Sequence, residues 1–302
     1  MVNSHSARSR SQSAMEYLMT YGWAILIIAV VLGALFELGV FNSTNFAPKA
    51  PPGSCHVFRP DGPGTTQFIN LEGLCNGELP QYVATFGISP GGYVEINYTP
   101  LFYSSNFTIA VWSSPNPNLV SNPDGTCYHD LVSEGTALQA NDIIINGACN
   151  VNAVDGWVNR GGTSVRTDRY TYSPHDWYFF VLTYNGVNLD LYSNGTLVEQ
   201  GGNTIFGPEG YPLFVGSDGP SGGRNFNGSL SNVQIYNTSL SVDQISALYG
   251  EGIGGAPMDL RNLVGWWPLN GNADDYSGNN YNGNVIGNVT FTNKWTAGYT
   301  QP

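Results

Sequence analysis

The feature that most constrains this chain is an unbroken apolar run near its start. Tyr17–Phe36 (YLMTYGWAILIIAVVLGALF) carries no charged side chain, and the residues before it hold Arg8 and Arg10, with Glu16 at the junction. At the α-helical rise, 20 such residues reach about 30 Å, the thickness of a bilayer's hydrocarbon core. Bases before the run and acid-dominated sequence after it predict an N-terminus inside and the remainder outside. A cleaved secretory signal would have a shorter apolar stretch ending in a small-x-small site; this run ends in Glu37-Leu38-Gly39-Val40-Phe41. A helix apolar on nearly every side must be surrounded by lipid or by other such helices. Gly22, Ala24, Ala29, Gly33 and Ala34 are small enough for helices to approach closely. Glu16 is the exception, because a carboxylate leaving water beside such a span needs a partner.

Arg10-Ser11-Gln12-Ser13-Ala14-Met15-Glu16-Tyr17-Leu18 resembles the class III signal peptide of archaeal type IV pilin-like proteins. The resemblance implies that residues 1–11 are a leader, removed by a prepilin peptidase between Ser11 and Gln12. Glu16 is then the fifth residue of the mature chain and compensates the N-terminal amine of an adjacent subunit. It implies a core helix over 12–41 and a membrane assembly platform that adds subunits to a helical homopolymer. The precursor would sit in the membrane and the product on the cell surface.

Residues 42–53 (NSTNFAPKAPPG) are rich in Pro and Asn, which break helix and sheet, and read as a hinge before a domain over 54–302. Beyond it no long amphipathic helical pattern occurs. Short apolar or alternating runs recur between Gly, Asn and Pro: Tyr93–Tyr98, Phe107–Trp112, Asp142–Ile145, Tyr178–Tyr184, Leu189–Tyr192, Leu213–Val215 and Leu230–Tyr236. That spacing predicts an antiparallel β-sandwich or jelly roll, with one short helix over Ser241–Tyr249, capped by Ser241 and burying Ile245 and Leu248. Charged residues are 11% of the chain, against a globular norm of about 25%. The net charge of −12 excludes a nucleic-acid partner, which needs cations to displace counterions from phosphate.

Several segments resemble the concanavalin-like/laminin-G jelly-roll family: Gly92–Ile96, Asn106–Trp112, Asp176–Gly186, Leu191–Gly195, Phe226–Asn237 and, after them, Leu240-Ser241 and Ala247–Tyr249. Their order fits the family from about Ala84 to Tyr249. Leu263-Val264-Gly265-Trp266-Trp267-Pro268-Leu269 resembles the family's opening strand, yet it follows the last family segment. Two arrangements would place it: a fold-back within its own domain, or insertion into a neighbour's sheet. The short Glu251–Asp259 connection favours the fold-back.

The four cysteines, Cys55, Cys75, Cys127 and Cys149, form no CxxC, and outside the membrane an even count reads as two disulfides. Sequence proximity favours Cys55–Cys75 and Cys127–Cys149, with all three connectivities open. Cys127 and His129 lack a second ligand pair for zinc. Seven Asn-x-Ser/Thr sequons, at Asn42, Asn97, Asn106, Asn194, Asn227, Asn237 and Asn288, lie on the expected outside, and pilins of the resembled kind commonly carry N-glycans. Asn42 and Asn288 are the safest sites. No strand carries the alternating acids of a glycoside hydrolase, and Gly219–Gly223 lacks the Lys-Ser/Thr of a phosphate loop. Asp218, Asp274 and Asp275 are candidate calcium ligands, against a plain solvated turn. The chain is therefore expected to be a glycosylated, non-enzymatic filament subunit without a resident cofactor, and surface carbohydrates are candidate partners. The alternatives are a membrane-anchored lectin or adhesin, and a motility-filament (archaellum) subunit.

Overall fold

Two kinds of strand follow from how many faces are covered. In Gly92–Ile96 buried and half-buried residues alternate, as in a strand with one face on the core. In Phe107–Pro115 nearly every residue is buried, as in a strand covered on both faces. The computed structural model describes residues 8–38, 40, 46–87, 91–97, 106–116, 128–135, 141–148, 152–160, 163–202, 211–220 and 224–302. They fall into two units, divided between Ala47 and Pro48.

The first unit contains helix α1 (Arg8–Glu37). Its segment Met19–Glu37 is long and apolar enough to cross a membrane, and none of it is buried. The helix stops at Glu37, short of the Phe41 expected from sequence. Val40 N–H donates to the Leu35 carbonyl at 3.0 Å, an i→i−5 closure that ends a helix. Phe41 and Asn42 lie outside the described residues.

Along the second unit the strands are β1 (Lys49–Ala50), β2 (Cys55–Phe58), β3 (Asn70–Gly73), β4 (Leu79–Pro80), β5 (Val83–Phe86), β6 (Gly92–Ile96) and β7 (Phe107–Pro115). Next come β8 (Tyr128–Glu134), β9 (Asn141–Ala148), β10 (Ala153–Arg160), β11 (Thr163–Arg166), β12 (Tyr170–Thr171), β13 (Tyr178–Tyr184), β14 (Leu189–Ser193) and β15 (Thr196–Gly201). The last are β16 (Leu213–Val215), β17 (Gly228–Tyr236), helix α2 (Val242–Gly250), β18 (Leu263–Trp267), β19 (Asn284–Gly287) and β20 (Val289–Thr292).

One sheet runs β11-β10-β9-β8-β16-β6-β19, with β12 on β10; the other runs β15-β14-β13-β7-β17-β5-β20, with β18 on β17. Every pairing in both is antiparallel. Phe86, Ile96, Phe107, Ile109, Phe180, Phe226 and Trp267 belong to the hydrophobic core, each at most 1% exposed. The chain is thus an N-terminal helix followed by an antiparallel β-sandwich consistent with a jelly roll. The displaced strand folds back into its own chain's sheet. β17 is long enough for two partners on one side: Gly228–Leu230 pair with β5, and Val233–Tyr236 with β18.

Ser241 caps α2 with a full capping box to Gln244, and Ile245 and Leu248 are buried. Tyr249 of α2 and Tyr299 of the C-terminal segment both pack on Trp112 of β7, at 5.8 and 5.6 Å between ring centroids. This cover explains why β7 is buried on both faces. The second unit begins at Pro48, ahead of the residue 54 expected from sequence. β1 pairs in parallel with β4, so residues 48–53 belong to the β-unit. A separate hairpin, β2–β3, is joined by the Cys55–Cys75 disulfide, with Cα atoms 5.0 Å apart.

Candidate functional site

The strand Ala153–Arg160 alternates in chemistry as well as direction. Val154 and Val158 enter the core, so Asp155 and Trp157 point to the opposite face of the sheet. The register places Asp130 of β8 opposite Asn146 of β9, and Asn146 opposite Asp155 of β10. These three form one row across neighbouring strands on that outer face, spanning about 10 Å at ordinary strand spacing. All three are buried, and a carboxylate so placed needs compensating charge.

For Asp155 two arginines supply it. Arg166 and Arg169 both donate to Oδ2 of Asp155. Burial works to lower the Arg166 pKa, but the hydrogen bond and charge of Asp155 outweigh it and the pKa is raised, so this guanidinium stays charged. Arg224 lies 3.9 Å from the buried Asp218 carboxylate. Its guanidinium carbon sits 4.9 Å from the Tyr128 ring and 5.6 Å from the Trp157 ring, within cation–π range of both. The backbone of the same loop lies against β8: Asp130 N–H donates to Arg224 O, and the His129 ring nitrogen Nδ1 to Asn225 O at 2.6 Å. The result is a floor of buried acids carrying three guanidinium forks beside two half-buried aromatic rings. Such a surface offers planar donor pairs and ring faces, the groups that hold hydroxyl-rich or carboxylated ligands. Of these residues the sequence singled out only Asp218 and His129, and both for metal binding; the period-two alternation of AVDGWVNR was a usable signal for the rest.

The residues singled out from sequence are scattered. Ser11, Gln12 and Glu16 all fall within α1. Asn97, Asn237 and Asn288 are exposed, Asn106, Asn194 and Asn227 are half-buried, and Asn42, Cys127 and Cys149 lie outside the described residues. The three calcium candidates are not gathered. Asp275 accepts from the N–H groups of Trp266, Ser277 and Tyr281 and from the Ser277 hydroxyl, so its carboxylate organises a turn. Asp274 accepts from the Asn272 amide, and Asp218 faces Arg224. Among the described residues no group of three or more His, Cys, Asp or Glu is placed to hold a metal ion.

Comparison with known proteins agrees with the architecture. The chain is 27% identical to the adhesion G-protein coupled receptor V1 of Danio rerio over 60% of its own length, which spans 3% of that receptor. It superposes on a putative carbohydrate binding protein from Bacteroides ovatus with a TM-score of 0.53 at 17% identity, covering 74% of this chain and 63% of that one. At that identity the likeness is one of fold. Residues 89–246, more than half of the sequence and the body of both sheets, match the laminin G family model described as the concanavalin A-like lectin/glucanases superfamily, and the chain belongs to that superfamily.

Proposed function

We propose that this protein is the structural subunit of an extracellular, archaeal type IV pilus-like filament whose outer β-sandwich binds carbohydrate. The observation that carries the reading is Met19–Glu37, a membrane-length apolar helix with no buried residue, attached to a sandwich that has its own complete core. Such a surface needs lipid before assembly and other helices after it. The Ser11-Gln12 junction and Glu16 supply the processing site and the charge that pairs with a neighbour's new amine. The aromatic and arginine face around Trp157 and Arg224 is the proposed carbohydrate contact, in keeping with the lectin fold and with what the Bacteroides ovatus protein is thought to bind. Both roles are non-catalytic and need no cofactor.

Sequencing of the mature N-terminus and electron microscopy of cells carrying tagged protein test the filament. A mature chain beginning at Gln12 within filaments is expected. A different N-terminus, or a protein that stays monomeric in the membrane, sinks the reading. The second reading is a membrane-tethered lectin, favoured by the membrane-length helix Met19–Glu37 and the similarity to part of an adhesion receptor; it predicts carbohydrate binding on cells that carry no filaments.

A further inference from the structure

Phe68 combines two properties that seldom meet. Its side chain is 83% exposed, and its backbone sits at φ +54°, a conformation that bulky residues rarely adopt and that persists only where the surroundings enforce it. Ahead of it, the nearest anchors of its loop lie three and four residues away, at Thr65 and Gly64. The Arg59 guanidinium donates to Thr65 O on one side and to Leu260 O on the other, and Gly64 N–H donates to Asn279 Oδ1. One buried cation therefore clamps both walls of an open cleft of about 770 Å³, formed by residues 66–69 and 258–261. Its lining is mixed: the Phe68 ring and Met258 are apolar, while Thr66, Gln67, Asp259 and Arg261 offer donors and acceptors.

An exposed ring set among polar groups suits a pyranose, which has an apolar face of C–H bonds and a rim of hydroxyls. Both walls lie outside residues 89–246, the part of the chain shared with the superfamily. We propose that this cleft is a saccharide-binding subsite in which Phe68 stacks on a pyranose ring and Gln67, Asp259 and Arg261 bind its hydroxyls. It rests on the carbohydrate reading above, but uses a different surface from the Trp157 face.

The test uses the full chain in detergent micelles against an array of immobilised hexasaccharides of glucose, mannose, galactose, N-acetylglucosamine and galacturonate. Trp157→Ala is expected to lower binding only in part, and in that background the remaining binding falls at least tenfold with Phe68→Ala, falls severalfold with Asp259→Asn and is kept by Phe68→Trp. Phe68 is exposed, so unchanged thermal unfolding of Phe68→Ala controls for folding. Array binding that is indifferent to Phe68→Ala and abolished by Trp157→Ala overturns the subsite and leaves the carbohydrate reading standing. No array binding by the unmodified chain overturns both. Loss of filaments from cells carrying Phe68→Ala would make the ring a subunit contact and also overturn the proposal.

Discussion

The indole Nε1 of Trp266 donates to Oδ1 of Asn232 at 2.7 Å, tying the displaced strand β18 to the middle of β17. Asn232 also donates through Nδ2 to Gly255 O and through its backbone to Pro268 O. It sits at φ +52°, a conformation Asn tolerates better than most residues. The side chain thus fastens both the returning strand and the connection that leads to it. Asn232→Ala leaves the Trp266 indole N–H buried and unpaired, and a loss of about 3 kcal/mol is expected, roughly 6–12 °C in Tm for a domain of this size. The double variant Asn232→Ala/Trp266→Phe should lose less than the sum of the two single losses, because the two residues share one interaction. Strictly additive losses in thermal unfolding would show that the contact does not hold β18.

Arg59 is the second fastening point. It is 8% exposed and donates to the carbonyls of Ser277, Thr65, Leu260 and Leu263. Burial lowers its pKa and the nearby Asp275 charge opposes that shift. Arg59→Met removes charge-assisted bonds and strands buried carbonyls, so a loss of about 4 kcal/mol is expected. Arg59→Lys keeps the charge without the fork and should lose about half as much. Denaturant titration of both variants checks the ranking. Equal stability of the lysine form and the parent would mean that charge alone suffices.

Alkaline pH should loosen the C-terminal cover. Burial pushes the Tyr299 phenol up to about 12, reinforced by Tyr249 and opposed by the hydrogen bond from Ile253 N–H. An unfolded phenol ionises near 10. Between those values the unfolded chain has released this proton and the folded chain still holds it. The contribution is therefore full below about pH 10 and is lost as pH rises towards 12, by roughly 2–3 kcal/mol. Burial raises Tyr172 and Tyr236 in the same direction. Tyr299→Phe should cost about 1–2 kcal/mol at pH 9, where Ile253 N–H loses its acceptor, and should show a shallower decline above pH 10. An unchanged alkaline slope in urea titrations would rule out Tyr299 as a contributor.

The sequons separate by what the fold does with them. Asn237 and Asn288 are exposed. Asn194 occupies the β14–β15 turn at φ +50°, and its Oδ1 accepts from Phe179 N–H. The turn also packs on α2, since a Cβ at Gly195 would lie 3.3 Å from Ser246 Cα. In the Asn106 sequon, the Thr108 hydroxyl is buried between Thr238 O and Leu240 N. Glycopeptide mapping of native protein should find glycan at Asn237 and Asn288 and none at Asn106 or Asn194. The reverse pattern would mean that glycans are added before these strands close.

Much of the sandwich was legible because its central strands are saturated with apolar residues, as in Tyr178–Tyr184 and Leu230–Tyr236. β8 and β10 were not, because their outer faces carry Asp130 and Asp155, whose burial depends on context that a polar pattern does not reveal. The arginines that compensate Asp155 lie on another strand and in the loop beyond it. The β2–β3 hairpin has few apolar residues and depends on a disulfide and on Arg59, both long-range features. Phe68 reads as an ordinary core aromatic, and nothing in its neighbours announces a left-handed backbone.

That backbone gives a stability test independent of any ligand. A non-glycine residue in the left-handed region costs roughly 1–2 kcal/mol, and the 83% exposed Phe68 ring has little packing to lose. Phe68→Gly removes that cost but adds freedom to the unfolded chain, about 0.5–1 kcal/mol in the other direction. Phe68→Asn tolerates the conformation without that penalty. Both variants should therefore match or exceed the parent, with Phe68→Asn stabilised by up to about 1 kcal/mol. Denaturation of the two variants in parallel reads the difference directly. A Tm lowered by more than about 3 °C in both would mean that the ring supports the loop, and that φ +54° follows from packing rather than from a conformation imposed by Arg59.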